Sequence, residues 1–162
     1  MFGEWLGPMP VLTVLGGEGG LGVLEGVLAL PKQTAGGRPA YPSVFDKAAV
    51  LFRSMILDHP FVDGNKRMGV ASTLVFLYSN GQVVCATDRE LVTLALRVAT
   101  GGSTRGLRSL SRWLERRSRQ MTAIEQAVEN AALDSLVEGL PGRAGLRSRP
   151  LLSAVVHMVT HA

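Results

Sequence analysis

The chain has one cysteine, Cys85, in 162 residues, which excludes an internal disulfide framework and any zinc site built on cysteine. Charge is sparse. Only 19% of residues are charged against 46% hydrophobic, and the mean hydropathy is +0.21, so a disordered chain is excluded. No basic region precedes the first apolar stretch, and Glu4 stands ahead of it, which argues against a signal peptide. Long hydrophobic runs are missing too. The longest charge-free stretch, 68–87, is broken by Ser79-Asn80-Gly81-Gln82 and cannot be a continuous span of about 20 apolar residues. A cytoplasmic protein without a membrane partner is the expectation. There is no internal repeat.

What is present suffices for one domain with a real core. The formal charge is +4 and the pI near 9.8, which points to an anionic partner without naming it. Residues 1–81 carry six basic and six acidic side chains, so the whole excess lies in 82–162, mostly in the six arginines of 101–120.

The hydrophobic pattern is mainly helical. Residues 21–30 form a short apolar segment stopped by Pro31, and 31–43, with three prolines and Gly36-Gly37, reads as an exposed loop or hairpin. Ser43 and Asp46 form a capping box for Val44–Leu57, whose nearly continuous apolar character predicts a buried helix. Asp58-His59-Pro60 ends it, because the residue before a proline is driven out of the helical region. A second helix runs from near Asn65 to Asn80-Gly81, followed by a brief extended piece at 82–86. Thr87 and Glu90 cap a helix to about Ala99, closed by Gly101-Gly102. An amphipathic helix comes next over about 104–119, with Leu107, Leu110, Trp113 and Leu114 on one face and Arg105, Arg108, Arg112, Arg116 and Arg119 opposite. Thr122 and Glu125 cap a last helix that ends at Gly139.

Three motifs are weak. Gly17-Glu18-Gly19-Gly20-Leu21-Gly22 fits a dinucleotide fingerprint, but a loop and a buried helix stand where the second parallel strand is needed. His157 and His161 have metal-binding spacing, yet Met158 replaces the expected Glu and no third ligand is evident. The arginine face suits phosphates, but no nucleic-acid-binding motif accompanies it, so nucleic acid is not the expected main partner.

One nine-residue stretch is different. Residues 59–67 read His59-Pro60-Phe61-Val62-Asp63-Gly64-Asn65-Lys66-Arg67, in the loop between a buried helix and the start of the next. Gly64 and Asn65 fall at a helix start, where free N–H groups and the positive end of the macrodipole attract anions. Lys66 and Arg67 place two cations where a helix prefers acids, and a bound polyphosphate would reverse that penalty. Asp63 is either an ion-pair partner or an oxygen ligand for Mg²⁺. His59 carries the nearby imidazole, a side chain of the type that can take a proton from a hydroxyl. Phe61 anchors the loop.

This stretch resembles the active-site motif of the Fic/Doc (Fido) family, H-x-F-x-(D/E)-G-N-(G/K)-R, and Lys66 resembles the Doc, or death-on-curing, branch. Leu24-Glu25, Gln33 to Gly37, Tyr41-Pro42-Ser43 and Lys47-Ala48-Ala49 resemble the segment before the motif. Leu74–Gly81 and Asp88–Gly101 resemble the segments after it. The resemblance covers about 16–118. It implies a helical bundle with a short β-hairpin flap somewhere in 32–43, where Thr34, Gly36, Gly37 and Arg38 would dock the target. It divides the chain into an atypical N-terminal segment (1–15), a Fic/Doc domain (16–120) and a C-terminal helix and tail (121–162).

The resemblance also implies ATP and Mg²⁺ as cofactors. His59 would deprotonate the acceptor and Asp63 hold the metal. Gly64, Asn65, Lys66 and Arg67 would bind nucleotide and phosphate. A Doc-like toxin transfers the γ-phosphate of ATP to a hydroxyl of a translation factor, elongation factor Tu by analogy, and arrests translation. AMP transfer is the same-fold alternative, and a non-enzymatic protein acting through the arginine face is a second. No inhibitory (S/T)-x-x-x-E-(G/N) motif is found, since Thr122 to Glu125 and Ser135 to Glu138 each hold two intervening residues. Inhibition in trans by an antitoxin is therefore expected, with Arg105, Arg108, Arg112 and Arg116 as its docking face. The family usually continues with Thr-Ala where this chain has Met68-Gly69, which predicts a looser helix or a wider pocket.

Overall fold

The computed structural model describes residues 13–14, 18–102, 106–128 and 131. The elements in chain order are α1 (Glu18–Ala29), a 3₁₀ turn (Leu30–Lys32), β1 (Thr34–Ala35), β2 (Arg38–Pro39), α2 (Val44–Leu57), α3 (Asn65–Ser79), β3 (Gln82–Val84), α4 (Asp88–Thr100), α5 (Leu107–Arg116) and β4 (Ser118–Gln120). The fold is mainly helical, with two small antiparallel strand pairs. Among the described residues, no helix is long and apolar enough to cross a membrane.

Helix α2 is the axle. It packs against α1, α3, α4 and α5. Ala48, Ala49, Leu51, Phe52, Met55 and Ile56 are all at most 1% exposed, so its apolar sequence is consumed on every side. Full burial of a side chain the size of Phe52 stabilises by about 1.5–3 kcal/mol. The partners contribute narrower stripes: Val70, Phe76 and Leu77 from α3, Leu91, Leu94, Ala95 and Val98 from α4, and Leu110 and Leu114 from α5.

The capping chemistry follows the sequence. At α2 the Asp46 N–H donates to Ser43 Oγ (3.0 Å) and the Ser43 N–H to Asp46 Oδ2 (3.2 Å). The second Asp46 oxygen accepts from Ser111 Oγ at 2.7 Å, which ties α5 to the start of α2. Burial pushes the Asp46 carboxyl up, but the hydroxyls of Ser111 and Ser43, the Ser43 N–H and the charge of Arg108 outweigh it and hold the group below its ordinary value. Thr87 and Glu90 make the same box at α4.

The flap is a two-residue hairpin. Thr34 pairs with Pro39 and Ala35 with Arg38, all four exposed. Gly36 and Gly37 both have positive φ, 59° and 76°, which is the requirement of a type I′ turn and the reason for two glycines there.

Two expectations are corrected, and the rejected glycine motif finds its place. The helix predicted over 104–119 ends at Arg116, because 118–120 form β4 and pair with β3 through Gln82–Gln120, Val83–Arg119 and Val84–Ser118. Arg119 therefore leaves the arginine face. Its guanidinium grips Glu125 at 2.8 and 2.6 Å, which, with the Thr122 N–H, draws that carboxyl down to about 2. Residues 18–22 of the glycine motif lie inside α1, so there is no turn for a pyrophosphate. Gly69 does not loosen the fold. A Cβ there would stand 2.8 Å from Ile56 Cγ1 and 3.3 Å from the Phe52 carbonyl, so glycine permits the close crossing of α2 and α3. Arg105, His157, His161 and the end of the last helix at Gly139 lie outside the described residues.

Candidate active site

The loop between α2 and α3 is held by its own side chains. His59 adopts φ 48°, the left-handed region that a non-glycine residue enters at a cost of order 1–3 kcal/mol. Pro60 behind it removes the ordinary helical option. Pro60 and Phe61 are buried, and Phe61 forms a bridge with Val14 while the Val62 N–H donates to Thr13 O at 2.9 Å. His59, Val62 and Asp63 stay exposed. The loop is thus pinned at its hydrophobic centre and presents its polar side chains outward.

Asn65 is the clasp. It is 8% exposed. Its Oδ1 accepts from the Phe61 N–H at 2.9 Å, and its Nδ2 donates to Phe61 O at 2.8 Å. Those two bonds fix which end of the amide is which. The second Nδ2 hydrogen then faces His59 Nδ1 at 3.3 Å, so the hydrogen-bond network assigns Nδ1 as acceptor and, in the neutral ring, the proton to Nε2.

Gly64, at φ 85°, turns the chain into α3 and caps it without a side chain. The first intrahelical bond runs from Met68 N–H to Gly64 O (2.8 Å), so the N–H groups of Asn65, Lys66 and Arg67 precede the ladder. The first turn has no acidic residue. These groups open on a cavity of about 160 Å³ lined by Asp63, Gly64, Asn65, Lys66 and Arg67, with Val92, Ala95 and Leu96 of α4 as its opposite wall. Its size is below the roughly 300–1,000 Å³ of pockets that enclose a drug-sized ligand, and suits phosphoryl groups. Arg67 meets Asp63 only loosely, Nη2 to Oδ2 at 3.9 Å, with side chains 36% and 79% exposed. A pair of that kind is worth about 0–1 kcal/mol and rearranges readily.

The structure therefore gathers Asp63, Gly64, Asn65, Lys66 and Arg67 at one cavity and connects His59 to it through Asn65. Phe61 is buried, 2% exposed. Thr34, Gly36, Gly37 and Arg38 stand in the exposed hairpin. Arg108, Arg112 and Arg116 lie on α5 and do not line the cavity. The α4 wall and the Thr13–Val14 contact escape the sequence reading. The one hint of the first is Leu96, an exposed leucine (47%) on an amphipathic helix.

Asp63 offers one carboxylate, and among the described residues no group of three or more His, Cys, Asp or Glu side chains converges. Mg²⁺ commonly takes one or two protein carboxylates and completes its shell with water and substrate phosphates, so this donor set fits a nucleotide-borne Mg²⁺ and not a caged metal.

Comparison with known proteins agrees with this geometry. The model of the Fic/DOC family matches residues 9–77, which contain α1, the hairpin, α2, the loop and most of α3. The Toxin Doc of Mycolicibacterium smegmatis (strain ATCC 700084 / mc(2)155) is 43% identical over 65 residues, 40% of this chain and 50% of that protein. The chain thus spans about half the length of this curated relative. No solved structure matches the chain. Through the segment that builds the histidine loop and the start of α3, the chain is similar to the Fic/DOC family.

Proposed function

We propose that this protein is a Doc-like toxin that transfers the γ-phosphate of Mg-ATP to a hydroxyl of a protein of the translation machinery. The observation that carries the reading is the convergence of the α3 N-terminus, Lys66 and Arg67 on one small cavity beside an exposed histidine. Free N–H groups, a helix dipole and two cations without an acidic neighbour in the first turn are an anion site, and the charge penalty they carry is offset when phosphate is bound.

In this reading the N–H groups of Asn65, Lys66 and Arg67 receive phosphate oxygens. Lys66 fills the space that a glycine would leave for the α-phosphate, which turns the γ-phosphate toward the acceptor. Arg67 would turn from Asp63 to neutralise charge on the phosphates, and Asp63 would hold Mg²⁺. When bound, that ion would supply charge neutralisation to the phosphates. The acceptor hydroxyl replaces the Asn65 amide at His59 Nδ1, a contact long enough at 3.3 Å to yield. The proton passes to Nδ1, the new O–P bond forms, the bond to the β-phosphate breaks, and ADP leaves. Asn65 holds the ring in place until the acceptor arrives. The hairpin with Thr34, Gly36, Gly37 and Arg38 offers exposed backbone edges on which the target segment can lie. An antitoxin would restrain the protein in trans.

Cell-free translation tests the toxin reading. With Mg-ATP present, the wild-type chain should stop amino-acid incorporation, and His59→Ala should leave it running. Undiminished incorporation with folded wild-type protein would contradict it.

A further inference from the structure

Helices α4 and α5 both pack on α2, yet between them stands a second cleft, of about 260 Å³, lined by Arg89, Glu90, Thr93, Arg97, Trp113 and Arg117, with Leu94 at its floor. It is separate from the phosphate cavity, because α4 turns Val92, Ala95 and Leu96 to one and Arg89, Thr93 and Arg97 to the other. Its charge is unbalanced. Among the described residues Glu90 is the only acid lining it, and that carboxylate is already held by Arg117 at 2.6 Å and by the Thr87 N–H and hydroxyl at 2.9 and 3.0 Å. Among the described residues Arg89 and Arg97 form no ion pair, and both are exposed.

We infer that this cleft docks an acidic segment of a partner protein in extended conformation, with carboxylates four residues apart and an apolar side chain midway between them. Arg89 and Arg97 are eight residues apart on one helix, about 12 Å at 1.5 Å per residue. In a strand, residues i and i+4 face the same way about 13 Å apart, with i+2 between them on the same side. The central side chain then meets Thr93, Leu94 and the half-buried Trp113, and each carboxylate meets a guanidinium fork. A nucleic acid fits less well. The Trp113 ring on which a base would stack is already covered by the Arg117 guanidinium, 5.9 Å from its centroid. This inference is independent of the transfer reaction and is read by binding alone.

The probe is the capped peptide Glu-Ser-Leu-Ser-Glu, titrated into the isotopically labelled full chain and followed by NMR. It should shift the Trp113 indole N–H and the amides of 89–97, and a peptide with both acids as Gln should not. Arg89→Ala with Arg97→Ala should weaken binding at least tenfold. Arg112→Ala with Arg116→Ala, which removes the same charge from the exposed face of α5, should change it less than twofold. Equal weakening by the two pairs, or no shift at the cleft, would overturn the inference. So would an oligothymidylate of equal charge that occupies the cleft more tightly than the peptide, because it would assign the site to nucleic acid.

Discussion

Asn65 shows how one side chain can serve fold and chemistry together. It satisfies both backbone groups of Phe61 and aims His59, so its loss leaves buried donors and acceptors unpaired. Asn65→Ala should cost about 1–3 kcal/mol of stability, read by urea unfolding, and should lower transfer further than that destabilisation explains. His59→Ala should behave differently. The ring is exposed and makes one long hydrogen bond, so stability should change by no more than about 1 kcal/mol while transfer disappears. Equal stability loss in the two variants would mean that Asn65 is not the clasp. These residue types were legible in the sequence, because nine consecutive positions hold the proposed site. Their bonding was not. Nothing in the order of residues says that an asparagine amide will turn back to the backbone four positions before it.

At the scale of elements, two contacts decide how α2 holds its neighbours. Gly69 lets α3 cross within van der Waals reach of Ile56 and Phe52. Gly69→Ala gains about 1 kcal/mol in helix propensity but forces a methyl into that crossing, where overpacking costs about 1–3 kcal/mol. A net loss of about 1 kcal/mol is expected, seen as a fall of a few degrees in Tm. An unchanged or higher Tm would show that Ile56 moves aside freely. The second contact joins Ser111 of α5 to Asp46 at the α2 cap. Ser111→Ala should cost about 1 kcal/mol at neutral pH. The folded-state carboxyl of Asp46 lies below its ordinary value, so its contribution is complete above the unfolded value, about 3.9, and fades as pH falls through the folded one. The gap between wild type and Ser111→Ala should therefore narrow in acid and stay constant between pH 5 and 8. A gap that widens on acidification would contradict this sign. The capping boxes at Ser43 and Thr87 were readable because they are local, with donor and acceptor three residues apart. The end of α5 at Arg116 was not, because it depends on β3, more than thirty residues earlier.

For the whole molecule, bulk charge is a poor guide to chemistry. The excess of +4 lies in 82–162, whereas Lys66 and Arg67 sit in the half with no net charge. The arginines divide in the fold. Arg119 pairs with Glu125, Arg117 with Glu90, and Arg89 and Arg97 flank a cleft of their own. Only the packing of α4 between two cavities makes that division visible, since its two working faces interleave along the sequence. The central claim is that the loop between α2 and α3 directs the γ-phosphate of ATP, and not its AMP moiety, onto a protein hydroxyl. The most direct measurement is incubation of the protein with bacterial extract and ATP labelled at either the α or the γ position. Label should pass to protein from the γ position only and should be absent with His59→Ala. Transfer from the α position, or transfer that persists without His59, would contradict the account.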